Sequence, residues 1–325
     1  MIRENDINKF VNGRQFIILT AVLFVIASIA AHFKGVSHAQ VLGEGAHKSF
    51  MLESMPVVSL LLNVVEVIGA CVLLSFLNKT FTFIREVTYV FASSLLLLSI
   101  ANPYTITQLN EGTVLSVVLV VVTGIVFGSY QDFYSQRKVY ITFVILMTCG
   151  MLYPVFYYLL PVVLIGFMQM RVMSLRSVFA MLFGIATPLW ISLGLGLLTI
   201  DEIAVPHVVT PWSSMVVTYS VYEIMLAVIT SFVLVVLIGV NVLRIISYKM
   251  QVRAYNGFFL ILSLFTMVMM VLHYDNMLTY LPILNMCLAV QIAHTFTINN
   301  YLRRYIPYLL FAVACLGLWV WQVMC

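Results

Sequence analysis

Hydrophobic and polar positions along this chain alternate in long blocks, not with the short periods of a soluble helix or strand. Apolar runs of about 20 residues, the length that crosses a bilayer, are separated by short polar joints. We interpret these runs as membrane-spanning helices. The predicted ranges are 15–33, 55–77, 87–101, 113–130, 177–200, 215–241, 257–273, 277–298 and 305–324.

One apolar stretch, residues 139–170, is too long for one crossing and short for two. A hairpin that turns near Tyr153 and Pro154 keeps the following cations on the side of all the others, whereas a single crossing would invert them. Irregular backbone at membrane depth is tolerated where it is buried in protein or lines a cavity. The sequence therefore predicts an all-α, polytopic transmembrane helical bundle of about eleven spans, including one short Pro-broken hairpin.

The lysine and arginine residues have a strongly biased distribution among the joints. Of the 16, only Lys34 and Lys48 lie outside an alternating set of joints. This is the positive-inside pattern of a multi-pass inner-membrane protein, and it predicts a cytoplasmic amino terminus and Cys325 outside. The clustered cations are Arg3, Lys9, Arg14, Lys79, Arg85, Arg137, Lys138, Arg171, Arg176, Arg244, Lys249, Arg253, Arg303 and Arg304.

Composition agrees with this interpretation, since 63% of residues are hydrophobic and only 9% are charged. The longest polar joint, about 34–54, leaves no room for a soluble domain, so residues 1–325 are predicted to be a single integral membrane domain with the lipid bilayer as its partner. No basic face with interleaved aromatic residues indicates nucleic-acid binding. An alternative for the first span is a cleaved signal peptide, which would leave ten spans and the same sidedness.

Acidic residues inside predicted spans are the strongest candidates for function, because a carboxylate facing lipid is costly. Ser59, Asn63 and Glu66 share one helical face, and Tyr219 and Glu223 share another. At 1.5 Å per residue, Glu66 and Glu223 are predicted about 16 Å and about 12 Å below the outer boundary. We predict that Asn63, Glu66, Tyr219 and Glu223 line one substrate cavity; the alternative is that each Glu is neutral and binds a neighbouring helix.

Two further groups of polar residues are less specific. Asn285, Gln291 and His294 fall in one predicted span, where His294 is interpreted as a residue of a helix interface. The predicted outer joints collect histidines and carboxylates that could serve as metal ligands or as acid and base groups. No spacing identifies a metal or a cofactor. These residues are His32, His38, Glu44, His47, Glu53, Asp201, Glu202, His207, His273 and Asp275.

Residues 78–200 resemble a family of uncharacterised multi-pass membrane proteins of Bacteroidota. The matching features are an Asn before an apolar span, an Asn-Pro at its outer end, the Leu-Tyr-Pro hairpin, an Arg-Ser and a Gly-Ile-Ala-Thr-Pro. That family carries a domain of unknown function, so the resemblance implies a membrane fold without implying an activity.

A more distant similarity is to membrane glycosyltransferases that use polyprenyl-phosphate sugars, which also have short paired helices between long ones. Those enzymes place a catalytic Asp or Glu in the first outer loop, which implies Glu53 or Glu44 as the catalytic base here. The chain has no acidic residue in the ten positions after Phe33, and Glu53, close to the membrane surface, is the better candidate.

Three functional hypotheses follow. The most specific is an envelope-glycan glycosyltransferase that uses a polyprenyl-phosphate-linked donor, with Glu66 and Glu223 lining the lipid-phosphate cavity. The second is an ion-coupled transporter or flippase in which these two residues take up protons or cations. The third is a non-catalytic scaffold of an envelope protein complex, so whether the chain is an enzyme stays open.

Overall fold

The computed structural model describes residues 10–35, 55–84, 88–196, 219–298 and 305–324, and the predicted catalytic residues Glu44 and Glu53 lie outside them. The described residues form helices and no strand, which confirms the all-α prediction. The α-helices are α1 (Arg14–Phe33), α2 (Pro56–Phe81), α3 (Val90–Ile100), α4 (Pro103–Ile106), α5 (Glu111–Phe127), α6 (Gln136–Leu152), α7 (Leu160–Gln169), α8 (Leu175–Gly194), α9 (Val221–Ile245), α10 (Met250–Leu272), α11 (Met277–Ile298) and α12 (Tyr305–Met324).

Among the described helices, seven are long and apolar enough to cross a membrane: α1, α2, α8, α9, α10, α11 and α12. Shorter apolar helices lie between them, namely α3, α5 and α7 with the 3-10 helix Pro154–Leu159 that precedes it. The chain is therefore a multi-pass membrane protein. The total of about eleven spans and the side on which the amino terminus lies stay predictions.

The predicted hairpin of residues 139–170 is present as α6, the 3-10 helix and α7, which pack against one another. α6 ends at Leu152, and Tyr153 adopts extended backbone angles before Pro154. A residue before proline is disfavoured in the helical conformation, so the Tyr-Pro pair explains the break. α6 also packs along α8, where a side chain at Gly184 would meet the Tyr140 carbonyl oxygen at 2.8 Å.

Two helices, α3 and α11, form the centre of the bundle. Every residue of α3 except Ser99 is buried, and most residues of α11 are buried as well. The two helices pack on each other, with α1, α2 and α12 around α3 and with α5, α9 and α10 around α11. Peripheral helices instead expose large apolar side chains, such as Phe183 and Trp190 of α8, as a lipid-facing surface requires.

The helix ends that carry most of the described lysines and arginines gather at one end of the bundle. The Tyr255 hydroxyl donates to the Phe127 carbonyl over 3.2 Å, which joins the start of α10 to the end of α5. The backbone N–H of Gln131 donates to the Met170 carbonyl over 3.0 Å, which joins the same turn to the end of α7. We call this the cationic end, represented by Arg14, Lys79, Arg171 and Arg253, and we call the opposite end the far end.

A layer of buried polar side chains connects α9, α10 and α11. Asn241 of α9 donates from Nδ2 to the carbonyl and side-chain oxygens of Gln291, each over 2.9 Å. His294 of α11 is hydrogen-bonded through Nε2 to Asn256 of α10, which also donates to the Phe83 carbonyl over 3.0 Å. Gln291 and His294 therefore hold helices together, in agreement with the interpretation of His294 as an interface residue.

The start of α9 differs from the predicted span of 215–241. The helix begins at Val221, and Ser220 caps it: the Ser220 N–H donates to Glu223 Oε2 over 2.8 Å, and the Glu223 N–H donates to Ser220 Oγ over 3.3 Å. This reciprocal pair is a capping box. Glu223 thus lies in the first turn of its helix, about 3 Å along the helix axis from Val221.

Candidate functional site

The candidate site begins where α3 stops inside the bundle. With 11 residues, α3 is about 16 Å long, roughly half of a 30 Å hydrocarbon core. Pro103 prevents a simple continuation, because it has no N–H to donate and restricts Asn102 before it. The chain instead forms the one-turn α4, a loop through 107–110 and then α5.

This broken segment lies against the polar face of α2. Asn63 donates from Nδ2 to the Thr105 carbonyl over 2.9 Å, and the Leu109 N–H donates to Ser59 Oγ over 2.9 Å. One turn deeper, Glu66 is hydrogen-bonded to the Thr113 side chain. Because α2 starts at Pro56, Asn63 and Glu66 lie about 11 Å and about 15 Å along it, so the loop lies at membrane depth.

The N-terminus of α5 is fixed in this position by a cap and by close packing on α11. Asn110 Oδ1 accepts the Thr113 N–H over 2.9 Å. Gly112 lies so near α11 that an added Cβ would collide with the Thr279 carbonyl oxygen and would meet Pro282 Cγ at 3.0 Å. Glu111, only 5% exposed, lies in the first turn, where the helix dipole favours a negative charge.

A small cavity of about 20 Å³ lies between these elements. Its size suits about one water molecule or a small ion. We call the surrounding region the polar chamber, which consists of Asn63 and Glu66 of α2, residues 102–116 and Asn285 of α11. The cavity is lined by Val67, Ala70, Leu95, Ser99, Thr105, Ile106, Thr113, Ser116, Pro282 and Asn285.

The hydroxyl groups of the cavity present acceptors rather than donors. Ser99 donates to Leu95, Thr105 to Asn102, Thr113 to Asn110 and Ser116 to Thr113, each to a backbone carbonyl at 2.8 to 3.1 Å. A hydroxyl has one proton, so a proton engaged in this way leaves lone pairs for a guest. These four hydroxyl oxygens suit a cation or a proton donor, while the rest of the lining is largely apolar.

Other oxygen atoms of the polar chamber have no hydrogen-bond partner among the described residues. They are Asn63 Oδ1, Glu66 Oε2 and Asn102 Oδ1, and the Asn102 Nδ2 also has none. Asn63 and Asn102 are fully or almost fully buried. An unsatisfied buried polar atom costs about 1–3 kcal/mol. A bound ion or an ordered water would satisfy these atoms.

Aromatic side chains and a histidine form a wall beside the two carboxylates. Tyr153 is within electrostatic range of both Glu66 and Glu111, and Tyr280 is within range of Glu111. The Tyr280 hydroxyl is 3.0 Å from Nδ1 of His273. His273, predicted in an outer polar turn, is thus buried, although residues Tyr274–Asn276 after it do form a short 3-10 turn.

The structure brings together only part of the predicted substrate cavity. Asn63 and Glu66 meet in the polar chamber. Tyr219 and Glu223 lie at the start of α9, where the Tyr219 ring packs on Tyr274 with ring centroids 5.2 Å apart. The cavity lining contains no residue of α9, so the described contacts do not place Glu66 and Glu223 in one cavity.

The histidines and carboxylates predicted as metal ligands do not assemble in the described part of the chain. Within it, no three His, Cys, Asp or Glu side chains are close enough to hold a metal ion. Most of the proposed set lies outside the described residues: His38, Glu44, His47, Glu53, Asp201, Glu202 and His207.

Sequence reasoning missed Glu111 and Asn102. Glu111 falls in a polar joint when spans are read from hydropathy alone, although Asn110 before it is a favoured N-cap residue. Asn102-Pro103 indicates the end of a helix, but it does not reveal which helix the following loop contacts.

Comparison with models of protein families, with curated proteins and with solved structures finds no match to this chain, so the functional interpretation rests on the residues of the site.

Proposed function

We propose that the protein is an ion-coupled membrane transporter whose coupling ion, Na⁺ or a proton, binds in the polar chamber beside Glu66. The observation that carries this proposal is the cavity whose hydroxyl protons are all engaged, next to a carboxylate at membrane depth. Broken helices with free backbone and side-chain oxygens are a common setting for Na⁺ and H⁺ sites in secondary transporters. The break between α3 and α5 supplies that setting here.

The charge distribution supports a cationic guest. Glu66 and Glu111 belong to the polar chamber, whereas the described lysines and arginines lie at the cationic end, apart from Lys34 after α1. A phosphate group would be repelled by the two carboxylates unless a cation came with it. A monovalent cation would be attracted and would satisfy the oxygen atoms that have no partner among the described residues.

Thr113 gives the site a way to respond to the charge of Glu66. Its hydroxyl contacts both the Asn110 carbonyl, over 2.9 Å, and the Glu66 carboxyl. Its one proton can serve the ionised carboxylate, or it can serve Asn110 while a protonated Glu66 donates to Thr113. Loading the site with a proton or a cation would therefore reorganise the cap of α5.

The positive-inside pattern supports a cytoplasmic position for the cationic end. In that orientation the polar chamber lies in the outer half of a bacterial inner membrane. The polar chamber then lies on the side from which an importer would receive its solute.

The proposal is tested by thermal unfolding of the full chain in detergent, with NaCl exchanged for choline chloride at constant ionic strength. At Na⁺ about 100-fold above its Kd, we expect about 2.7 kcal/mol of stabilisation. KCl tests whether the site distinguishes Na⁺ from a larger monovalent cation. If the ion is a proton, the melting temperature depends on pH and is insensitive to Na⁺. A melting temperature that does not change with Na⁺, Li⁺, K⁺ or pH would contradict the proposal.

A second candidate is the envelope-glycan glycosyltransferase with a polyprenyl-phosphate-linked donor. The observation that favours it is the pair of short helices, α6 and α7, which those enzymes also have. Glu53 precedes the start of α2 by three residues, and α2 carries Asn63 and Glu66. In this hypothesis Glu53 or Glu44 is the base, and the first stretch between α1 and α2 would contact the lipid-linked sugar.

We expect the double variant Glu44→Gln with Glu53→Gln to distinguish the two candidates. A glycosyltransferase deprived of its base loses activity by about 100-fold or more. The measurement is mass spectrometry of polyprenyl-linked lipids and envelope glycans in a deletion strain complemented with each form. Full complementation by the double variant would rule out this base, and a lipid and glycan profile unchanged even by deletion would favour transport of a small solute or a scaffold role.

A further inference from the structure

An open groove lies at the cationic end, far from the polar chamber. Its volume is about 220 Å³, and it lies between the turn after α5, the end of α7 and the start of α10. The groove is lined by Tyr130, Gln169, Arg171, Met250, Arg253 and Ala254. It therefore combines two cationic side chains with an amide, a phenol and an apolar rim.

The backbone holds Arg171 at the groove in an unusual conformation. Its φ of 59° lies in the left-handed region, which favours glycine after the end of a helix. The Arg171 N–H donates to Met168 over 3.0 Å, and the neighbouring Met170 carbonyl accepts from Gln131 over 3.0 Å. An arginine at this position costs about 1 kcal/mol or more relative to glycine.

The two arginines are not neutralised within the described part of the chain. Both are exposed, and Arg253 donates to the Ile246 carbonyl over 3.4 Å. The nearby ion pair joins other residues, Lys138 and Asp132, with their charged atoms 3.3 Å apart. Two guanidinium groups that flank a groove are suited to bind a phosphate group, since each presents a planar set of donors.

Gln169 contributes a second polar feature. Its amide packs against Gly257, where a Cβ would collide with it, so the side chain has little freedom to move. Its Oε1 atom is buried and has no partner among the described residues. This oxygen is enclosed by protein, so Gln169 contributes a fixed wall to the groove.

The surface next to the groove is apolar and continuous with the lipid-facing side of α7. Pro161, Ile165 and Met168 are exposed and lie at i, i+4 and i+7 on one face, which leads to Gln169 and the groove. Met250 on the opposite rim is also exposed. A molecule bound here would have its phosphate among arginines and its hydrocarbon along α7.

We propose that this groove binds the phosphate headgroup of an anionic glycerophospholipid. Arg171 and Arg253 contact the phosphate, and the acyl chains follow the exposed stripe of α7. Basic sites between transmembrane helices are a general form of anionic-lipid recognition. The same phosphate chemistry could come from a soluble phosphate ester, and the experiment separates the two sources.

The test is native mass spectrometry of the delipidated full chain in detergent, titrated with phosphatidylglycerol, phosphatidylcholine or glycerol phosphate. We expect selective binding of phosphatidylglycerol. The double variant Arg171→Gln with Arg253→Gln should weaken this binding about 30-fold, because the loss of each charge weakens it about fivefold. The control Arg137→Gln with Arg176→Gln removes equal charge from exposed positions outside the groove and should change the affinity less than threefold.

A conservative variant controls for loss of lipid binding through misfolding. Arg171→Lys with Arg253→Lys keeps both charges and should retain more than half of the lipid-bound fraction. Equal weakening in the groove and control variants would overturn the proposal, because it would show general attraction to the cationic end. Equal binding of phosphatidylcholine would also overturn it, as would displacement of the lipid by glycerol phosphate at matched concentration.

Discussion

Replacing Glu66 with Gln is expected to remove most of the ion-dependent stabilisation of the protein. Gln keeps the volume and can still bond to Thr113, but it removes the charge that attracts a cation. If the Kd rises 100-fold, the stabilisation at the same Na⁺ concentration falls from about 2.7 to about 0.4 kcal/mol. The measurement is the thermal unfolding series in NaCl and choline chloride. If the ion is a proton, the variant loses the pH dependence instead, because Gln imitates the protonated acid.

Glu223→Gln is the matched control for this substitution. Glu223 is a buried glutamate in the first turn of α9, where it closes a capping box with Ser220. Gln at this position also completes a capping box, so the helix end should be kept. We expect the Glu223 variant to retain the full ion response. If both variants lose the ion response, Glu223 also belongs to the ion site. If neither variant loses it, Glu66 does not bind the ion.

The two carboxylates of the polar chamber are not equivalent. Glu111 lies in the first turn of α5, where the free N–H groups and the helix dipole stabilise its anion. Glu66 lies in the middle of α2, without such compensation from its own helix. Its charge must therefore be balanced by Thr113 and by a guest. This difference is the physical reason for assigning the ion to Glu66.

The sequence predicted those features that depend on local periodicity. The face formed by Ser59, Asn63 and Glu66 follows from helical spacing alone, and these residues do contact one continuous segment, residues 105–113. The break at Tyr153-Pro154 follows from the steric effect of proline on the residue before it. Both could be predicted because neighbours along the chain decide them.

The rest of the polar chamber depends on tertiary packing. The hydropathy of α3 suggested a full crossing, but the helix stops after 11 residues and α4 turns the chain back into the bundle. Whether a buried loop contacts α2 or α11 depends on how closely the surfaces fit, as they do at Gly112. The pattern of hydrophobic residues along the sequence does not record such a fit. In the same way, hydropathy extended the α9 span to 215, because hydropathy does not detect that Ser220 is the N-cap residue after which the helix begins.

Gly112→Ala is expected to destabilise the protein strongly and to disable the polar chamber together with the fold around it. The new Cβ would collide with the Thr279 carbonyl oxygen and would lie 3.0 Å from both Pro282 Cγ and the Asn110 Oδ1 that caps α5. Backbone of a central helix cannot move away cheaply, and overpacking typically costs about 1–3 kcal/mol. Loss of the Asn110 cap adds about 1 kcal/mol. The melting temperature should fall by roughly 5–10 °C.

Gly69→Ala provides the control, since Gly69 lies on α2 near the polar chamber and a Cβ there meets nothing within 4 Å. Alanine is a better helix former than glycine by about 1 kcal/mol, so this variant should be as stable as the parent or slightly more stable. The ion response should weaken in the Gly112 variant even below its melting temperature, because Thr113 is displaced with the cap of α5. A Gly112 variant as stable and as ion-responsive as the Gly69 variant would show that α5 does not contact α11 at this point.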